Sequence, residues 1–307
     1  MNIGTIGKFW LYFLETPLRR QTNKRKDMFN KIKMENDKEI IKELDIDYIG
    51  DGAKNHTLDI YSIINQDENT PVIINIHGGG LIYGDKELNF NFSCELVKLG
   101  FKVVNVNYTL IPDGTFYTQI KDILAAFTFI SSNALKYKLN IENIYVIGES
   151  AGGLLALMAT GINNSSKLQD IFESTTNNLN IQGIGLLSIM LNTQLKDMVQ
   201  VINPYLFTKQ DREHKSFPYL RNPLAILQET KLPKTYLMTS EEDFLNKETL
   251  ALRQELDKHQ IPNKMIYFKK GTNYSLRHCF PIHYPIYKES VTIYNQIKNY
   301  FLFNNVS

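Results

Sequence analysis

"NIYVIGESAGGLLALMA", Asn143 to Ala159, is the stretch whose reading decides the fold. Ile144–Ile147 is apolar or aromatic throughout, as suits a strand covered on both faces. Gly148-Glu149-Ser150-Ala151-Gly152-Gly153 interrupts it, and a second apolar run, Leu154–Ala159, reads as a buried helix. The glycines allow strand, turn and helix to approach closely, and the turn leaves Ser150 at its tip. Two readings stay open on this stretch alone. The turn is a plain joint, or it presents a serine nucleophile above a sheet. A base, an acid and an oxyanion site must come from the rest of the chain.

Working outward, the alternating or β-branched stretches 44–50 and 56–64 read as strands at a sheet edge. Continuous apolar runs at 71–78, 101–108, 184–190 and 234–240 read as strands buried on both faces, and 263–271 as a last strand. Segments of helical period separate them at 86–99, 117–137, 151–162, 246–259 and 284–302. This alternation predicts an α/β fold: a mostly parallel, eight-stranded sheet with helices on both faces. Ligands in such sheets bind beyond the carboxyl ends of the strands. The first ~45 residues, including "MFNKIKMENDKEIIKEL" (28–44), read as helical. Residues 192–223 show no clear strand and carry prolines beside aromatics. With segment 1–45 they are expected to form a helical cap on a single domain spanning 1–307. The aromatics Trp10, Phe13, Tyr205, Phe207 and Tyr219 then suggest an apolar acyl or aryl pocket.

Bulk composition narrows the partners. Of 307 residues, 43% are hydrophobic and 21% charged, which supports a globular core rather than disorder. A net charge of +2 gives no reason to expect nucleic acid or an acidic membrane surface as partner. Cys94 and Cys279 are too few for a disulfide framework and too far apart for a zinc knuckle. They read as reduced thiols, which fits a cytoplasmic location. In "GKFWLYFLETPLRR" the apolar core is only Phe9–Leu14. A signal-peptide core takes about 7–15 residues and a bilayer span about 20. The segment reads as an amphipathic stretch on the protein's own surface rather than a membrane anchor. The oligomeric state stays open, homo-oligomer included.

The chemistry gathers at strand ends. "INIHGGGLIYGD" (74–85) places His77-Gly78-Gly79-Gly80 after a strand, about 70 residues before Ser150. Successive glycines let backbone N–H groups turn inward, where each donor aimed at an oxyanion contributes roughly 3 kcal/mol. Among the other histidines, His56, His214 and His259 lie in polar or edge settings and read as surface residues. His278 and His283 follow the last strand, and His278, just before the final helix, is preferred as base. Past "KTYLMTS" (234–240) stand Glu241, Glu242 and Asp243. All three are carboxylates, so chemistry alone leaves the acid open among them. Glu149 reads as a salt-bridged or solvated structural carboxylate.

At this point the chain resembles the hormone-sensitive-lipase-like branch of the α/β-hydrolases, from about residue 56 to 303. The resemblance rests on "LDIY", "HGGG", "NYTLIP" (107–112), "GESAGG", "NPLAILQETKLP", "SEEDFL" and "HCF", in that order. It implies the α/β-hydrolase fold, with Ser150 as nucleophile, Asp243 as acid, His278 as base, and Gly79, Gly80 and Ala151 as oxyanion donors. Two departures bear on the substrate and on the fine position of His278. Cys279 stands where glycine usually follows the histidine, and Asn246-Lys247-Glu248 stands where further acidic residues usually follow the acid. The larger cholinesterase-like carboxylesterases share GESAGG but are much longer.

The implied reaction is hydrolysis of a short- to medium-chain acyl or aryl ester through an acyl-enzyme, with no metal or organic cofactor. An amidase, formamidase or deacetylase on the same residues is the alternative, since the same chemistry cleaves amides. A non-catalytic protein binding a small ligand on the same scaffold is the reading from another class.

Overall fold

The computed structural model describes residues 39–174, 179–192, 203–271 and 273–303. The amino-terminal cap segment up to 38, with Trp10 and Phe13, lies outside the described residues, as does 193–202 of the second cap segment. Eight strands form one sheet: β1 (Ile40–Asp47), β2 (Thr57–Ile63), β3 (Val72–Ile76), β4 (Lys102–Val106), β5 (Ile144–Glu149), β6 (Ile181–Leu187), β7 (Lys234–Ser240) and β8 (Asn263–Phe268). Their order is β1-β2-β4-β3-β5-β6-β7-β8. β1 and β2 run antiparallel to their neighbours, and every other pair is parallel. The expected mostly parallel, eight-stranded α/β sheet is borne out.

Alternation along the buried strands divides the apolar residues between two cores. Val72, Ile74 and Ile76 of β3, with Ile144 and Val146 of β5, enter one. Ile73, Tyr145 and Ile147 enter the other. This is the period of two of a strand, with both faces covered. The longer helices are α1 (Phe90–Lys98), α2 (Phe116–Ser132), α3 (Ala151–Asn163), α4 (Asn246–Lys258) and α5 (Lys288–Leu302). Helices α2, α3 and α4 pack on the first core, and α1 and α5 on the second. Helix α3 is buried along its whole length, which explains its apolar composition. No helix among the described residues is long and apolar enough to cross a membrane.

The helical reading up to residue 45 needs correction from Ile40 onward, where β1 begins. Ile40, Ile41 and Leu44 have helical spacing, but the backbone pairs antiparallel with β2, matching Ile40 to Ile63 and Lys42 to Tyr61. The register shifts between Glu43 and Ile46, and Asp45 takes φ 55° there. Pairing with an existing sheet edge outweighs a local preference of this kind, and the bulge absorbs the mismatch. The strand read as 184–190 stops at Leu187, because Ser188 turns to φ 51°.

Between β6 and β7 the described part of the second cap segment forms short helices at Asn203–Leu206, Lys209–Glu213 and Phe217–Arg221. Its aromatics pack inward: Phe207 meets Phe217 edge-on at 5.4 Å and Tyr219 meets Phe172 at 6.3 Å.

Candidate active site

The turn after β5 is under backbone strain. Ser150 takes φ 53° and ψ −121°, a region costly for a residue with a Cβ. Its surroundings hold it there. The Ser150 amide donates to Leu187 O at 3.0 Å, and its carbonyl accepts from Met190 N at 3.0 Å. The glycines around it are needed for space. A Cβ on Gly152 would stand 2.1 Å from the Ile76 carbonyl oxygen, and one on Gly148 2.3 Å from that of Gly152. Ala151 opens α3, so its N–H is among those without a partner inside the helix.

Three of the sequence-predicted residues meet here. His278 lies in the loop after β8, and its Nε2 is 3.0 Å from Ser150 Oγ. Its Nδ1 is 2.8 Å from Asp243 Oδ1. Asp243 ends the turn after β7 and is buried. Its carboxylate also accepts from Thr239 Oγ1 at 3.2 Å and from the Leu245 amide at 2.9 Å. Burial pushes this carboxyl up, but His278, the Ser188 hydroxyl and the Leu245 N–H more than offset that, leaving it below the usual range.

The other candidates go elsewhere. Glu242 accepts from the amides of Leu276 (2.8 Å) and Gly271 (3.2 Å), and Glu241 from that of Lys270 (3.0 Å). His283 ends a short helix, Phe280–His283, and lines a cavity of about 380 Å³ with Phe244, Arg277, His278, Tyr284 and Tyr287. His56 pairs with Asp51 at 2.6 Å, His214 with Ser216 at 2.7 Å, and His259 lies 3.9 Å from Glu255.

The glycine loop lies against the same turn. Gly79 takes φ 120° and Gly80 φ 61°, and their amides donate to no acceptor among the described residues. A Cβ on Gly79 would stand 1.9 Å from the Tyr83 carbonyl oxygen, so only glycine fits. The His77 ring stacks on Tyr108 with centroids 4.4 Å apart, and the Tyr108 hydroxyl donates to the His77 carbonyl at 2.8 Å.

Among the described residues Glu149 has no salt-bridge partner, and it is not solvated. It is buried, and its Oε1 accepts the Gly78 N–H at 2.5 Å while Oε2 accepts from Asn89 Nδ2 at 2.8 Å. Burial without a cation pushes its carboxyl up to about 7, against the pull of those two donors. Ser188, Thr239 and Asn89 had no signal in the sequence. Each acts on a residue far from it in the chain or across a turn, and none sits in a recognisable pattern. Ser188 hydrogen-bonds Asp243 and also accepts the Cys279 amide at 3.3 Å. Cys279 takes φ 53° in place of the glycine usual there.

Comparison with known proteins adds three findings. Among curated proteins, the putative alpha/beta hydrolase R526 of Acanthamoeba polyphaga mimivirus is 39% identical over 87 residues, covering 28% of this chain and 25% of that one. The acetyl esterase of Salmonella schwarzengrund is 26% identical over 205 residues, 62% of this chain and 61% of its own. The chain thus spans about a quarter and about three-fifths of these two relatives. Among solved structures, an inhibited esterase B from Lactobacillus rhamnosis superposes with a TM-score of 0.84 at 23% identity, covering 95% of both chains. That likeness establishes the α/β-hydrolase fold. The BD-FAE family model matches residues 58–244, more than half of the chain, from β2 through the Ser150 turn to the turn after β7, and the chain belongs to that family.

Proposed function

We propose that this protein is a serine carboxylesterase that hydrolyses short- to medium-chain acyl or aryl esters through an acyl-enzyme. The continuous contact from Asp243 through His278 to Ser150, 2.8 Å and then 3.0 Å, carries this reading. Likeness to the Salmonella acetyl esterase supports it. Ser150 Oγ attacks the ester carbonyl while His278 Nε2 takes its proton, and buried Asp243 steadies the imidazolium that forms. Gly79, Gly80 and Ala151 donate to the oxyanion. His278 then returns the proton to the departing alcohol oxygen, and water repeats the cycle on the acyl-enzyme. The insertion between β6 and β7 serves as part of a cap over the acyl group.

Turnover of p-nitrophenyl acetate, butyrate and octanoate by the purified protein tests the reading. Acetate and butyrate should be hydrolysed at least as fast as octanoate, and the Ser150→Ala variant should be inert. Absence of turnover with all three would overturn the esterase assignment. Cleavage of the matching anilides at rates equal to the esters would move it to an amidase.

A further inference from the structure

The turn that carries Ser150 also carries Glu149, whose side chain ties that turn to the glycine loop after β3 and to the residue before α1. Oε1 takes the N–H of Gly78 at 2.5 Å, beyond β3. Oε2 takes Asn89 Nδ2 at 2.8 Å, at the residue before α1. Both donors are neutral, and Glu149 is only 5% exposed. The loop lies directly on this residue, since a Cβ on Gly78 would stand 2.7 Å from the Glu149 carbonyl oxygen and 3.1 Å from Oε1. Gly79 and Gly80 come next in the chain. Glycines hold no direction by themselves, and an oxyanion donor lowers the barrier only if it is aimed before charge develops.

We propose that Glu149 is a positioning residue that clamps Gly78 and thereby aims the Gly79 and Gly80 amides at the carbonyl oxygen of an ester bound at Ser150. The inference rests on the esterase reading above. Glu149 touches neither substrate nor Ser150 Oγ in this role, and it stays covalently unchanged through the cycle. What it supplies is a rigid acceptor. The acceptor, rather than the charge, is what the loop needs. Among the described residues, Asn89 Oδ1 is buried without a hydrogen-bond partner. With glutamine at 149, the Asn89 amide can turn over and accept from the new NH₂, leaving the glutamine oxygen for Gly78.

Steady-state kinetics of the full chain with p-nitrophenyl butyrate test this on Glu149→Ala and Glu149→Gln. Loss of one aimed donor costs about 10²–10³ in kcat elsewhere. Glu149→Ala should therefore lose about 100-fold in kcat with KM within about 3-fold, while Glu149→Gln stays within about 5-fold of wild type. A Glu149→Ala protein that folds and keeps kcat within about 3-fold would overturn the proposal. So would a Glu149→Gln variant that falls as far as Glu149→Ala. If Glu149→Ala does not fold, Asn89→Ala removes the second anchor alone. A fall of about 10-fold in kcat at unchanged KM would support the clamp, and an unchanged kcat would overturn it. A wild-type protein inert on every ester would instead sink the esterase reading itself, so the two failures are distinguishable.

Discussion

Nε2 of His278 stands 3.0 Å from Oγ of Ser150, across 128 residues of chain. Both residues sit in or beside strained backbone, Ser150 at φ 53° and Cys279 at φ 53°. Strain of this kind persists only where the surroundings over-determine it. Here the end of β6 does so, through Leu187 and Met190 at Ser150 and through Ser188 at Cys279. Removing Oγ leaves that frame untouched. Ser150→Ala should lower kcat on the order of 10⁴–10⁶ while Tm stays within about 3 °C of wild type. Steady-state kinetics and thermal unfolding on the same preparation check this, and appreciable residual activity would move the nucleophile elsewhere.

Asp243 and Glu242 are adjacent carboxylates with different neighbours. Asp243→Asn leaves His278 Nδ1 facing a possible donor, and kcat should fall about 10⁴-fold. Glu242→Gln weakens acceptance of the Leu276 and Gly271 amides, so it should loosen the loop and cost no more than about 10-fold. The reverse order of effects would assign the acid to Glu242.

Glu149 predicts a pH dependence of stability. Its carboxyl is raised from 4.5 to about 7, so the folded state binds this proton more tightly than the unfolded chain does. That stabilisation is complete below about 4.5 and is lost as pH rises through about 7, a swing of about 3 kcal/mol. Tyr108 and Cys279, whose own groups burial and the Glu149 charge push well up, stay neutral over that range. Between pH 5 and pH 8, the Tm of wild type should fall relative to Glu149→Gln by on the order of 5–10 °C. Parallel Tm curves for the two proteins would contradict the raised carboxyl.

Gly152 has no room for a methyl group, because Ile76 O would lie 2.1 Å from its Cβ. Either β3 or the start of α3 must move. Gly152→Ala should cost about 3 kcal/mol or more and at least about 100-fold in kcat, measured by urea unfolding and kinetics. A near-neutral result would show that the two segments yield more easily than close packing allows.

Cys279 follows His278, yet its thiol is buried and held well above the ordinary range, by burial first and then by Glu149 and Asp243. Cys94 is buried too. Iodoacetamide at pH 8 should label neither in the native protein and leave esterase activity intact, while both react in denaturant. Mass spectrometry after timed labelling decides this, and rapid labelling at Cys279 would mean that the loop opens.

Much of the site was legible because it lies in short stretches whose composition admits one backbone. A buried apolar strand followed by Gly148-Glu149-Ser150-Ala151-Gly152-Gly153 has few ways to turn, and HGGG after another such strand supplies inward N–H groups. The order of those blocks, with carboxylates and histidines after later strands, needed only the one-dimensional pattern. The sequence by itself therefore determined the layered α/β architecture and the neighbourhoods that meet at the carboxyl ends of the strands. Tertiary structure decided what depends on distances between residues far apart in the chain. It brought Asp243 rather than Glu241 or Glu242 to His278, because only one side chain of three successive residues points into the gap beside Ser188. It paired Ile40–Asp47 with the sheet edge against a helical spacing. It also buried Glu149 under Gly78, since a carboxylate's neighbours are set by the loop that folds over it and not by its own place in the chain.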